Sequence, residues 1–205
     1  MLVEVGMDAA QHAKHPVTVL AGPYGHPFHP MLVTVPIGAW VTSLVFDVGS
    51  RIVDRPGFLT QGSEWLIGIG VLGALAAATL GFLDFLAIPT GTRAHRTALV
   101  HMSLNLTVTA AYAVNFGWRH GEYADQGRVG AGPLLLSAGS IAVLGASGYL
   151  GGKLAYRYGV RVADERTQAE GFDGSPITEP TRPAVYSGAA AEEQPTTGNT
   201  ERRTP

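Results

Sequence analysis

The sequence predicts an all-α integral membrane protein: an up-down bundle of four transmembrane helices followed by a disordered C-terminal tail. Charged residues make up 15% of the 205-residue chain, below the roughly 25% of a typical soluble domain. The deficit is local, since the stretches 65–83 and 129–152 contain no charged residue. Turn-forming proline and glycine residues separate four apolar segments, each close to the ~20 residues that cross a bilayer core.

The four predicted spans cover residues 30–50, 65–88, 97–117 and 133–154. Short connections between successive spans imply antiparallel neighbours. Small residues recur at helical spacing along the second and fourth spans, which lets helix backbones approach closely in lipid. We therefore expect a four-span domain at 22–162 behind an N-terminal arm at 1–21. Residues 163–205 are rich in Pro, Thr, Gly and Glu and are predicted to be disordered.

Basic residues near the spans predict the orientation of the bundle. Six Lys and Arg residues flank the spans on the side of both termini, and four flank them on the other side. This bias places both termini and the loop at 89–96 in the cytoplasm. The first sixteen residues lack the basic and apolar regions of a cleaved signal peptide, so the first span is expected to direct insertion.

Composition also excludes several classes of function. A formal net charge of −2 argues against a nucleic-acid-binding surface. The chain has no cysteine, which rules out disulfides, thiolate metal sites and Cys-ligated iron–sulfur clusters. No nucleophile–base pair or phosphate-binding loop is visible, which disfavours an enzyme.

Polar residues inside a span are costly, so they are candidates for function. Antiparallel threading brings most of them to one end of the bundle, on the side of both termini: His26, His29, Asp84, Arg93, His95, Arg96 and His101. Asp84 is expected to form a salt bridge with Arg93, Arg96 or an imidazole, with metal ligation as the alternative. Asp47 lies at the opposite end and is expected to pair with Arg51, four residues further along the helix.

His101 lies several ångströms inside the predicted hydrocarbon boundary. It shares one helix face with Thr97, Asn105, Thr109 and Tyr112. That face must point into the bundle, because lipid offers polar groups no partners. Two interpretations stay open: His101 is a cofactor ligand, or it forms with Asn105 a hydrogen-bond ladder that holds neighbouring helices together.

The two histidines of the first span lie in a stiff, extended entry. Pro27 and Pro30 disfavour helical backbone at the residues that precede them. A rigid entry would hold an imidazole in a fixed direction, which favours His29 as a ligand. His26 is expected to be solvated, and so is His120 at the opposite end.

Several motifs resemble those of a known family. They are Gly25-His26-Pro27-Phe28-His29-Pro30 with Pro36 and Asp47, Gly81-Phe82-Leu83-Asp84, the spacing from Arg96 through His101 to Asn105, and Leu150-Gly151-Gly152-Lys153-Leu154-Ala155-Tyr156 before Gly159-Val160. In order and spacing these motifs resemble the bacterial four-span membrane family catalogued as domain of unknown function 2231, over residues 22–162. The resemblance implies a bacterial membrane protein without an established activity. Some members are fused to Rieske-type iron–sulfur domains, which points to electron transfer, and here such a partner would be a separate polypeptide.

The leading hypothesis is a small b-type cytochrome in the bacterial inner membrane, acting as an electron-transfer module. His29 and His101 would be the axial ligands of haem b. Arg93 and Arg96 would pair with the propionates, and a neighbouring polar side chain such as Asn105 would orient a ligand imidazole.

Two alternatives accompany this hypothesis. The first is a divalent metal site formed by histidine and carboxylate side chains, namely His29, His101, Asp84, His26 and His95; in the haem hypothesis Asp84 is instead a second candidate for orienting an imidazole. The other alternative is a non-catalytic scaffold or interaction subunit of a redox complex. Expected partners are the lipid bilayer and a Rieske-type or other redox protein. Formation of a homo-oligomer is a further possibility that the sequence leaves open.

Overall fold

The computed structural model describes residues 9–121 and 127–172. Four of its helices are long and apolar enough to cross a membrane: His29–Ser50, Gly57–Leu86, Arg93–His120 and Ala131–Arg157. The prediction of an all-α, four-span membrane bundle is therefore confirmed. The second span begins eight residues before its predicted start, because Ser63 and Glu64 turn into the bundle and are buried there. Hydropathy alone does not show polar residues that are shielded in this way.

Two of the spans are irregular at the same end of the bundle. The first span is interrupted at Val33, between the short helix His29–Leu32 and the helix Thr34–Ser50. Pro30 lies in the first turn of the short helix, where a missing N–H costs nothing. The fourth span is α-helical over Ala131–Gly152 and ends in a π turn, Lys153–Arg157. We call this end of the bundle the histidine end and the opposite one the Asp47 end.

The four spans form two helical hairpins. The first span packs along the second, and the third packs along the fourth. The second span also packs on the third, and the first packs on the fourth. The first and third spans are thus diagonal partners across the bundle, and so are the second and fourth. Side chains from diagonal spans meet only on the central axis.

An aromatic stack fills the middle of that axis. The rings of Trp40 and Tyr112 lie 4.3 Å apart between centroids and 8° from parallel. Ile67 and Val108 complete this buried cluster. Gly70 is required beside it, since a Cβ at this position would collide with the Trp40 indole. The stack thus joins the diagonal first and third spans at mid-depth.

The segments that flank the bundle meet at the histidine end. A 3-10 turn, Val19–Ala21, leads into Gly22, which has a left-handed φ of 92°. After the fourth span the chain turns back, and Arg161 also has a positive φ, 60°. Asp164 caps the helix Glu165–Ala169 by accepting a hydrogen bond from the Thr167 N–H, which lowers the pKa of this exposed carboxyl.

The C-terminal region begins with regular structure. The helix Glu165–Ala169 is followed by a 3-10 turn, Glu170–Phe172. Both fall within the 163–205 stretch that the sequence assigns to a disordered tail. The remainder of that prediction, at 173–205, lies outside the described residues.

Candidate cofactor site

Two imidazoles face each other on the bundle axis at the histidine end. His29 comes from the first span and His101 from the third, its diagonal partner. Their ring centroids lie 6.5 Å apart and their planes are perpendicular. The sequence places both residues at the same membrane side, and the structure brings them together across the bundle.

Each of the two imidazoles is anchored through Nδ1 to a carbonyl of the following span. His29 Nδ1 lies 2.8 Å from the Ala77 oxygen, and His101 Nδ1 lies 2.8 Å from the Ser147 oxygen. A carbonyl oxygen can only accept a hydrogen bond, so Nδ1 of each ring must carry the proton that it donates. In the neutral form of each ring, Nε2 then carries the lone pair that a metal ligand requires.

Glycines make room for both rings. A Cβ at Gly81, four residues after Ala77, would lie 2.8 Å from His29 Cε1. A Cβ at Gly151, four residues after Ser147, would lie 3.0 Å from His101 Cε1. The small-residue stripes that the sequence assigns to helix packing therefore also cradle the imidazoles.

His101 has a second group of polar neighbours. The Asn105 amide donates to the His101 backbone oxygen (2.9 Å) and to Ser147 Oγ (2.7 Å), and its nitrogen lies 3.2 Å from His101 Nε2. Ser147 Oγ lies 3.1 Å from His101 Nδ1. The hydrogen-bond ladder proposed from the sequence is thus present, and it surrounds the imidazole that is also the candidate ligand.

Asp84 pairs with an arginine that the sequence analysis did not consider for it. Arg161 Nε donates to Asp84 Oδ1 at 2.7 Å, and both side chains are buried. The expected partners Arg93 and Arg96 were wrong, because their side chains are exposed at the start of the third span.

Arg161 also binds the N-terminal arm. Its guanidinium donates to the carbonyl oxygens of Ala21 (3.1 Å) and Gly22 (3.0 Å), and its backbone N–H donates to the Ala13 oxygen (2.9 Å). Sequence position alone gave no sign of this, because Arg161 lies beyond the last apolar segment and 77 residues from Asp84. We call these contacts the arm latch.

The remaining predicted site residues lie apart from the two facing imidazoles. The exposed His26 precedes the first span. His95 stacks on Phe85, with centroids 4.7 Å apart, and its Nδ1 lies 3.3 Å from the Ile88 oxygen. Among residues 9–121 and 127–172, no three His, Asp or Glu side chains lie close enough to share a metal ion. The five candidate metal ligands are therefore not gathered into one cluster.

A second polar cluster, which the sequence analysis missed, lies at the Asp47 end. Arg119 donates from both terminal nitrogens to the two Asp47 oxygens, at 2.7 Å each. Asp47 is fully buried and the Arg119 side chain is 7% exposed. The expected pairing of Asp47 with Arg51 was wrong: Arg51 instead donates to the Val129 oxygen at 2.7 Å.

Every span contributes to this Asp47–Arg119 cluster. Arg119 Nε donates to Asn115 Oδ1 at 2.8 Å, and the Asn115 amide donates to Ser137 Oγ at 2.9 Å. Ser63 donates to Asp47 and accepts from Arg119. The i, i+4 spacing of Asn115 and Arg119 near the end of an otherwise apolar span is the sequence signal that could have indicated a buried cation.

The chemistry open to the two ends differs. The charges of the Asp47–Arg119 cluster satisfy one another, and in the described residues no buried side-chain polar atom lacks a partner. At the histidine end, two imidazoles are directed by carbonyls and lie against glycines on the bundle axis. The two facing rings are therefore the candidate ligand pair of this end.

No curated protein and no solved structure matches this chain. A family described as predicted membrane protein, DUF2231, matches it over residues 25–164. The matched region includes all four spans, both imidazoles and the arginine of the arm latch. By this match the chain belongs to the DUF2231 family of membrane proteins.

Proposed function

We propose that this protein is a membrane electron-transfer module that holds a b-type haem between His29 and His101. The observation that carries the proposal is the pair of facing imidazoles, each with its Nδ1 anchored to a backbone carbonyl. A ligand imidazole usually donates its second N–H to such an acceptor, which fixes the ring and raises the basicity of the ligating nitrogen.

The separation of the rings supports trans ligation. With metal–nitrogen distances of ~2.0 Å, two imidazoles on opposite sides of one ion have centroids roughly 6.3 Å apart, and two in a tetrahedral site roughly 5.2 Å. The His29–His101 separation of 6.5 Å agrees with the first value. The perpendicular ring planes are compatible with it, because a ligand ring can rotate about its metal–nitrogen bond.

A bound haem would supply one-electron transfer, with a potential set by its axial ligands and their hydrogen bonds. His29 and His101 would hold it, and both rings are already directed by the second and fourth spans. Asn105, whose amide donates to the His101 backbone oxygen and to Ser147 Oγ, would hold in place the third and fourth spans that position this ligand. Arg93 and Arg96 lie five to eight residues before His101, roughly 8–12 Å along the helix, and would pair with propionates at the surface.

The redox partner would dock at the histidine end, where Arg93, Arg96 and Arg157 are exposed. An acidic face on a separate Rieske-type or other redox protein would complement these charges. The Lys and Arg bias of the loops supports a cytoplasmic position for this end. A reporter fused after residue 172 would test that orientation, since a periplasmic signal would contradict it.

The test is spectroscopic. Protein purified in detergent, as isolated and after titration with hemin, should show low-spin Soret and α bands upon reduction with dithionite. His29→Ala and His101→Ala should each abolish the low-spin bands, because each removes one axial ligand. His120→Ala is the matched control: this histidine lies at the Asp47 end with its side chain 69% exposed, and the bands should persist.

Other outcomes discriminate the alternatives. Stoichiometric metal without a Soret band, lost in both histidine variants, would overturn the haem assignment in favour of a two-histidine metal site. A folded protein that takes up neither hemin nor metal would contradict both and leave a scaffold role for the imidazoles.

A further inference from the structure

The two hairpins repeat the same contacts at constant spacing. In the first hairpin His29 binds the carbonyl of Ala77, and in the second His101 binds that of Ser147. The histidines are 72 positions apart and the carbonyl residues 70 apart. The second hairpin is therefore a copy of the first, with a connection two residues shorter.

A second contact follows the same spacing at mid-depth. Trp40 Nε1 donates to the Ile67 oxygen at 3.4 Å, and Tyr112 OH donates to the Ser137 oxygen at 3.3 Å. Again the aromatic residues are 72 positions apart and the carbonyl residues 70 apart. An accidental likeness at the histidine end would not continue with the same register deeper in the bundle.

The glycines that accommodate large rings follow it too. At the histidine end, Gly81 faces one imidazole and its counterpart 70 positions later, Gly151, faces the other. At the Asp47 end, a Cβ at Gly62 would lie 2.9 Å from the Phe46 ring. The counterpart Gly132 would meet the ring of Trp118, the counterpart of Phe46, at 2.7 Å.

Equivalent residues of the first and third spans also touch each other. These self-pairs are His29 with His101, Trp40 with Tyr112, and Asp47 with Arg119. Residues of two copies can meet their own counterparts only on a two-fold axis. The three pairs extend over 18 residues, roughly 27 Å of helix, so this axis runs along the whole bundle.

We propose that the bundle consists of two repeats of one two-span hairpin related by a pseudo-two-fold axis, and that the axis defines the ligand of the histidine pair. Sites at the interface between membrane repeats take contributions from both. A ligand on this axis would be held by His29 of one repeat and His101 of the other. The statement about the ligand rests on the proposed function; the repeat itself does not.

Departures from the repeat distinguish the two imidazoles. Asp84, one helical turn after Gly81, corresponds to Leu154, and both are buried. Asn105, beside His101, corresponds to Val33 of the first span. The second imidazole thus has an amide beside it for which the first has no counterpart, so the two rings share their anchoring but differ in their polar neighbours.

The repeat can be tested without any cofactor. Gly81→Ala and Gly151→Ala should each lower the melting temperature in detergent by several degrees, and by amounts that agree within about 2 °C. Gly148→Ala is the matched control on the fourth span, since a Cβ there meets nothing within 4 Å; it should leave the melting temperature unchanged or raise it. A second matched pair, Gly62→Ala and Gly132→Ala, should agree in the same way if the first pair fails to fold.

Unequal pairs would overturn the repeat, above all if Gly81→Ala destabilises the protein while Gly151→Ala behaves like the control. The ligand is tested separately, with hemin as the probe. His29→Ala and His101→Ala should each convert the low-spin spectrum to a high-spin one, and retention of low-spin bands by one variant would contradict ligation from both sides. If the protein takes up no hemin, the proposed function fails, whereas the glycine pairs still decide the repeat.

Discussion

At the Asp47 end of the bundle, polar side chains bind one another; at the histidine end, each imidazole binds a main-chain carbonyl. The first arrangement is closed, because Arg119, Asp47 and the serines around them use their donors and acceptors within the cluster. The second is open, because each ring is anchored through Nδ1 to a main-chain carbonyl and the two rings face each other across the bundle axis. Intramembrane polar residues are candidates for function by default. Here the closed cluster is structural, and the histidine pair is the one that remains for the proposed ligand.

The largest effect is expected where the closed cluster is broken. Arg119→Ala leaves the Asp47 carboxylate buried without its bidentate partner, so the free energy of unfolding should fall by about 3–5 kcal/mol. Arg51→Ala removes one bond to the Val129 carbonyl near the surface and should cost about 1 kcal/mol. Denaturation of both variants in detergent measures the difference. Equal losses of the free energy of unfolding would indicate that Arg51 is a partner of Asp47, as the sequence suggested.

A smaller effect is expected at the arm latch. Asp84→Asn and Arg161→Ala should each lower the free energy of unfolding by about 2 kcal/mol, because they disrupt a buried charge-assisted bond. Arg161→Ala should also expose Lys14 to trypsin, since Arg161 holds the backbone of the N-terminal arm. Arg157→Ala, at an exposed position beside the bundle, is the control. Unchanged proteolysis in Arg161→Ala would show that the arm is held by other contacts.

The open end should tolerate the loss of a polar side chain better. Without a cofactor, Asn105→Ala and His101→Ala should each cost about 1 kcal/mol, the usual range for interhelical hydrogen bonds in membranes. Thermal denaturation of the purified apoprotein measures this. Losses as large as that of Arg119→Ala would mean that the histidine end is a structural cluster of the same kind as the Asp47 end.

The smallest effect is expected from removal of residues 173–205. That stretch is rich in Pro, Thr, Gly and Glu and offers little apolar surface to bury. Deleting it should leave insertion and melting temperature unchanged within about 1 °C. A large drop in the yield of folded protein would mean that residues 173–205 contribute to the stability of the bundle.

The two ends of the bundle also differ in how far the sequence predicts their contacts. Hydropathy determines the number of spans, and antiparallel threading then places His29 and His101 at one end. The rotation of each helix about its own axis is not encoded in hydropathy, however. The sequence therefore suggested Arg51 as the partner of Asp47. In the bundle the Asp47 side chain instead faces Arg119, 72 residues away.

Other features were not predicted from the sequence, because the residues that form them are far apart along the chain. Arg161 follows the last apolar segment, so nothing local connects it with Asp84. The repeat was not predicted because its two copies have equivalent contacts but different residue types. A tryptophan corresponds to a tyrosine, and an aspartate to an arginine. A comparison of residue identities would find little, while the carbonyls and ring positions coincide.

The arm latch has a consequence for biogenesis. A left-handed backbone at a residue other than glycine costs about 1–2 kcal/mol, and the hydrogen bonds of the Arg161 guanidinium with two carbonyls of the N-terminal arm offset that cost. Those carbonyls belong to Ala21 and Gly22, which leave the ribosome about 140 residues earlier. The N-terminal arm must therefore wait until the fourth span has been synthesised and inserted, and its docking marks the completion of the bundle.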